Sequence, residues 1–116
     1  MNLNKFLSLF LIIFLTSCSG KEEQINVVEE QDIELQMIEA YEKGKKALEE
    51  GEVLFAAKMF NEAELLYPQS EWAPRSSLMA AYAYYSQNYY GDAIFELKRF
   101  LKIYPLSPNQ DYAHFL

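Results

Sequence analysis

Seven positions of this chain recur at one fixed spacing. Gly51, Ala56, Phe60, Ala63, Tyr67, Pro68 and Ser70 return as Asn88, Ala93, Leu97, Phe100, Tyr104, Pro105 and Ser107, 37 residues later in every case. Each unit reads as two apolar-periodic helices around a turn residue, Gly51 in the first and Asn88 in the second. Both residue types accept a left-handed backbone, which ends one helix and redirects the chain into the next. The periodicity predicts helices over 33–50, 53–67, 71–87 and 90–104, with a fifth beginning near 110.

The side chains at the repeated positions have packing reasons. Ala56 and Ala93 stand where the second helix of a pair crosses the first, and a small side chain permits close approach. Phe60 and Leu97, one turn further on, fill the gap between helices. Gly44 takes the corresponding small position on the first helix of unit one, and Ala81 takes it in unit two. Pro68 and Pro105 follow the last apolar turn, where a residue without an N–H cannot continue the helix. Ser70 is expected to cap the next helix by accepting a backbone N–H. Pro74, four residues on, costs little if it falls in the first turn. The pattern is that of a tetratricopeptide repeat, three residues longer than the usual 34. The expected fold is all-α, a helical solenoid with repeats at 33–70 and 71–107 and the start of a third at 108–116.

The first 32 residues follow different rules. Lys5 precedes a ten-residue apolar run from Phe6 to Leu15, then Thr16, Ser17 and Cys18, the sole cysteine. The run is too short to span a bilayer as a helix, which takes ~20 apolar residues, and fits a cleaved export signal over 1–17. A thiol directly after small residues is the acceptor for a diacylglyceryl group. Acyl chains at Cys18, each methylene contributing about 0.8 kcal/mol, would hold the protein on a membrane. Ser19, in place of an aspartate, resembles the pattern sent to the outer membrane of Gram-negative bacteria, with the protein body facing the periplasm. From Cys18 to Asp32 the sequence is acidic and polar and reads as a tether, reaching roughly 20 Å as a coil. The net charge is −7, and −8 without Lys5. Such a balance argues against nucleic acid and against docking to anionic lipid through basic clusters.

One set of phrases carries a family resemblance. Tyr67-Pro68-Gln69-Ser70, Trp72-Ala73, Ala80-Ala81-Tyr82-Ala83-Tyr84-Tyr85, Ala93-Ile94, Arg99-Phe100, Tyr104-Pro105 and Asp111-Tyr112-Ala113 resemble the BamD/ComL family over residues 40 to 116. The resemblance implies an outer-membrane lipoprotein of the β-barrel assembly machinery, built as five stacked repeats. This chain would stop inside the third, before the part implied to contact the central barrel-inserting subunit. It further implies other assembly lipoproteins as partners and, as ligand, the C-terminal strand of an unfolded outer-membrane protein.

A surface for such a ligand can be drawn on the first helix of each pair, which lines the concave face of a helical-pair solenoid. It comprises Tyr41, Lys45 and Leu48 in unit one, and Arg75, Leu78, Tyr82 and Tyr85 in unit two. Tyrosines offer a rigid apolar body with a polar tip, and Lys45 or Arg75 can pair with a terminal carboxylate. The competing reading packs these tyrosines between helices; Tyr84 and Tyr90 are assigned to that seam. Catalysis finds no constellation. His114 is the lone histidine, Glu49, Glu50 and Glu52 diverge around a turn, and no metal-ligand spacing or cofactor motif is present. Two other readings stay open at this level: an adaptor lipoprotein for cell-envelope division or peptidoglycan processes, and an enzyme whose site lies outside these residues.

Overall fold

Alanine dominates the interior. Ala40, Ala47, Ala56, Ala57, Ala63, Ala73, Ala80, Ala81, Ala83, Ala93 and Ala113 are all buried, with Phe60 and Phe100 as the largest fully buried side chains. Alanine is both the best helix former and the smallest side chain with a Cβ, so it favours helices that can lie close together. A computed structural model describes residues 23–116, with side chains from residue 31. Five helices follow in order: α1 Glu23–Glu49, α2 Val53–Leu66, α3 Trp72–Ser86, α4 Tyr90–Ile103 and α5 Gln110–Phe115. No strand occurs among the described residues. The chain divides into two units, Met1–Glu30 and Gln31–Leu116. Within the second, α2 packs on α3, α3 on α4 and α4 on α5. The architecture is that of an all-α, tetratricopeptide-like solenoid.

Four of the five helices lie within a residue of the spans read from the periodicity or begin where expected. α1 differs. It starts at Glu23, ten residues before 33, inside the acidic stretch expected to be coil. Low hydrophobicity there argues against packing, not against helix. Glu and Gln are good helix formers, acidic side chains near an N-terminus complement the helix dipole, and elongation from an established helix avoids the nucleation cost. No described helix is long and apolar enough to cross a membrane.

Both turns within the pairs close in the same way. Glu52 N–H reaches the Ala47 carbonyl at 2.8 Å and Gly51 N–H the Leu48 carbonyl at 3.1 Å. Tyr89 N–H meets Tyr84 at 3.0 Å and Asn88 N–H meets Tyr85 at 3.0 Å. This pairing of bonds is the Schellman motif, with Gly51 at φ +81° and Asn88 at φ +65°. Between pairs, Ser70 N–H bonds the Tyr67 carbonyl and Ser107 N–H the Tyr104 carbonyl, each at 3.1 Å. Ser70 does not cap α3 as expected. Its hydroxyl donates back to the Tyr67 carbonyl at 2.7 Å, serving the orphan acceptors at the end of α2. Pro74 falls in the first turn of α3, where no backbone N–H is missed.

Close approach is tightest at Gly44. A Cβ there would lie 2.9 Å from Phe60 Cδ1 and Cε1. In the second unit the same two positions hold Ala81 and Leu97, both buried in one cluster with Leu78, Phe100 and Ala113. A Gly–Phe pair in one repeat and an Ala–Leu pair in the next solve the same volume problem from opposite sides.

Candidate functional site

The surface expected on the first helices of the pairs is only partly assembled. Tyr41, on α1, is half-buried and its ring meets Phe60 and Trp72 edge-on, each with centroids 5.3 Å apart. Arg75, one turn along α3 from Trp72, lays its guanidinium 4.9 Å above the indole. Burial pushes the Tyr41 phenol above its ordinary pKa, against the opposing fields of Arg75 and Lys45. Lys45 pairs with Glu42 at 3.1 Å and is half-buried. Tyr41, Trp72 and Arg75 therefore form a contiguous aromatic surface with a cation on it, and Lys45 contributes to the field there. Trp72 is the member that reasoning from helix faces did not choose. Its place one turn before Arg75 was the available signal.

The remaining expected residues separate. Leu78 is buried in the second core cluster and presents no surface, because its face of α3 meets α4 and α5. Leu48 packs half-buried against the first cluster, among Ala47, Ala56 and Phe60. Tyr82 and Tyr85 are exposed about two turns and more beyond Arg75, and the seven residues from Arg75 to Tyr82 span ~10 Å of helix. The Tyr85 ring meets Tyr90 at 6.0 Å. Tyr90 is not on the seam as expected: it is 53% exposed, and its hydroxyl donates to Asn88 Oδ1 at 2.6 Å. At the first position of α4 its ring meets Tyr85 across the turn but is not enclosed between helices. Tyr84 does pack against the first cluster. Cys18 lies outside the described residues.

A second polar assembly was not foreseen. Arg99 on α4 forks onto Glu64 of α2, Nη1 to Oε1 at 2.9 Å and Nη2 to Oε2 at 2.6 Å. Its Nε donates to Glu96 Oε2 at 2.9 Å, and Nη2 also reaches Ser77 Oγ on α3 at 3.1 Å. The Tyr104 hydroxyl donates to Glu64 Oε1 at 2.6 Å, and Asn61 Nδ2 to Glu96 Oε1 at 3.3 Å. Glu64, Ser77 and Glu96 are buried. The hydrogen bond to Glu64 raises the Arg99 pKa above its usual value, against desolvation, with Glu96 adding to the rise. Desolvation first, and the bond to Glu64 second, raise the Tyr104 phenol. Every carboxylate oxygen in this group accepts a hydrogen bond within the chain, so the group joins α2, α3 and α4 and is not poised for proton transfer. Among the described residues no set of three histidine, cysteine or acidic side chains is placed to hold a metal ion.

Comparisons with known proteins agree on one family. The family described as YfiO, outer membrane lipoprotein, matches residues 33–116. The outer membrane protein assembly factor BamD of Caulobacter vibrioides is 38% identical over 103 residues, covering 88% of this chain and 32% of that protein. The factors of the same name from Neisseria gonorrhoeae and Neisseria meningitidis serogroup A are each 33% identical over 76 residues, covering 66% of this chain and 28% of theirs. The chain thus spans about a third of the length of the curated relatives it matches. No solved structure matches it.

Proposed function

This chain belongs to the YfiO family of outer membrane lipoproteins, and on that premise we propose that it serves as a lipid-anchored component of the β-barrel assembly machinery. The family description, outer membrane lipoprotein, supports a location at the outer membrane. In this reading Cys18 carries the acyl chains, the helical repeats face the periplasm, and their surface binds a barrel-inserting subunit, further assembly lipoproteins and unfolded client chains. The observation that carries the reading is the identity to an assembly factor along 88% of the chain. The client contact is assigned to the Tyr41–Trp72–Arg75 surface, with Lys45 beside it and Tyr82 and Tyr85 further along α3. An aromatic C-terminal residue would stack on the rings while its carboxylate meets Arg75.

Purification of the full-length tagged protein from detergent-solubilised envelopes tests the assembly role. A large β-barrel subunit should accompany it. Recovery of a division or peptidoglycan complex instead would replace the proposal with the adaptor reading. The client surface is tested separately: Arg75→Glu should weaken binding of peptides ending in phenylalanine by about tenfold in a calorimetric titration. Unchanged affinity removes Arg75 from that role.

A further inference from the structure

The repeat provides its own comparison for one groove. Between the first turns of α3 and the segment joining α4 to α5 lies a groove of about 630 Å³, with Glu71, Pro74, Arg75, Ile103, Tyr104 and Leu106 on its walls. Shifted back by one period of 37, Pro74, Ile103 and Tyr104 become Met37, Leu66 and Tyr67. Those three pack together in the first repeat, and Met37 there is fully buried. Met37 thus fills in the first repeat the place that stays open in the second. Proline carries no side chain long enough to cross the space; Ile103 is 51% exposed, and Leu106, at the position of the exposed Gln69, is 95% exposed. Phe100, which replaces Ala63, is larger, yet it is buried in the second core cluster and does not line the groove.

The polar atoms of the walls are largely engaged. The Tyr104 hydroxyl donates to Glu64 and its carbonyl accepts from Gln110 Nε2 at 2.9 Å, while Ser107 Oγ accepts the Asn109 N–H at 3.3 Å. Two charged side chains stand at the rim, Glu71 and Arg75, four residues apart and both exposed, with the Arg75 guanidinium resting on the Trp72 indole. Among the described residues neither has an ion-pair partner. A peptide unit offers the complementary poles, its N–H toward the Glu71 carboxylate and its carbonyl oxygen toward the Arg75 guanidinium.

We infer that this groove docks an extended segment of another polypeptide, which inserts a methionine or leucine side chain where the first repeat places its own Met37. The flexible thioether of methionine suits an open, irregular apolar space. The inference rests on the scaffold reading only in taking the ligand to be a polypeptide. It shares Arg75 with the client surface assigned above but requires no terminal carboxylate, which is what distinguishes the two.

The test is a titration of the full chain, followed by NMR, with a short peptide acetylated and amidated at its ends and carrying a central methionine. Resonances of Ile103 and Leu106 should shift, and a glycine-centred peptide should bind at least about tenfold more weakly, as fits the loss of one buried aliphatic side chain. Pro74→Met should fill the groove from within and weaken the methionine peptide by about tenfold or more, with helical circular dichroism retained. Leu106→Ser, at a fully exposed rim position that the fold does not need, should weaken it in the same direction. Equal binding of the two peptides, unchanged affinity in Pro74→Met, or binding only by peptides with a free carboxylate would overturn the inference.

Discussion

Glu64 is a carboxylate in a position surrounded by helices, and it is stable there because Arg99 and Tyr104 supply three hydrogen bonds to its two oxygens. Removing one partner of a buried pair typically costs ~3–5 kcal/mol, and the partial exposure of Arg99 lowers that figure. Glu64→Gln should therefore reduce stability by about 2–3 kcal/mol, read as a lower urea midpoint with an unchanged slope. The raised phenol of Tyr104 fixes a pH dependence as well. Its folded-state pKa lies above the unfolded value near 10, so its contribution is complete below that pH. It is lost as pH rises toward the folded value, because the unfolded chain gives up the proton first. Urea midpoints should fall above about pH 10, and Tyr104→Phe should flatten part of that fall; an unchanged profile would exclude the buried Tyr104 phenol as its source. None of this was legible in the repeat. One period carries Glu64 to Leu101 and returns Arg99 to Glu62, so the pair spans the two units without recurring in either.

Helices and turns were the legible level, because period, glycine and proline act locally. The two turns close with bonds at positions one period apart, as the left-handed Gly51 and Asn88 require. Where local reasoning failed, a longer-range partner decided the outcome. Ser70 turns back to the helix behind it, Leu78 is drawn into the core, and the start of α1 depends on elongation that hydrophobicity does not report. The pairing of Gly44 with Phe60 gives this level its test. Gly44→Ala should destabilise by about 1–3 kcal/mol through overpacking against the ring. Combining it with Phe60→Leu should cost less than the sum of the single changes, since that combination reproduces the Ala81–Leu97 arrangement of the second unit. A double-mutant cycle in urea measures the coupling, and strict additivity would show that the two positions do not share one volume.

At the scale of the molecule, the fold class and family were readable from repeat and phrase, whereas the surface drawn on the first helices is exposed only in part. A helix face can be drawn from spacing, but which of its residues remain exposed depends on the next helix, as the fates of Leu78 and Tyr82 show. The anchor is testable without structure: Cys18→Ser should leave an uncleaved or mislocalised precursor, and normal outer-membrane fractionation of that variant would exclude the thiol as the lipid acceptor. The reach of Arg99 across three helices has a thermodynamic consequence. In a stacked array, stability divides into what each unit holds alone and what each junction adds. Glu64 and Asn61 belong to one unit, Ser77, Glu96 and Tyr104 to the next, so this cluster is a junction energy concentrated in a few atoms. The two halves should melt in a single step while it is intact, and cutting it should let the weaker half go first.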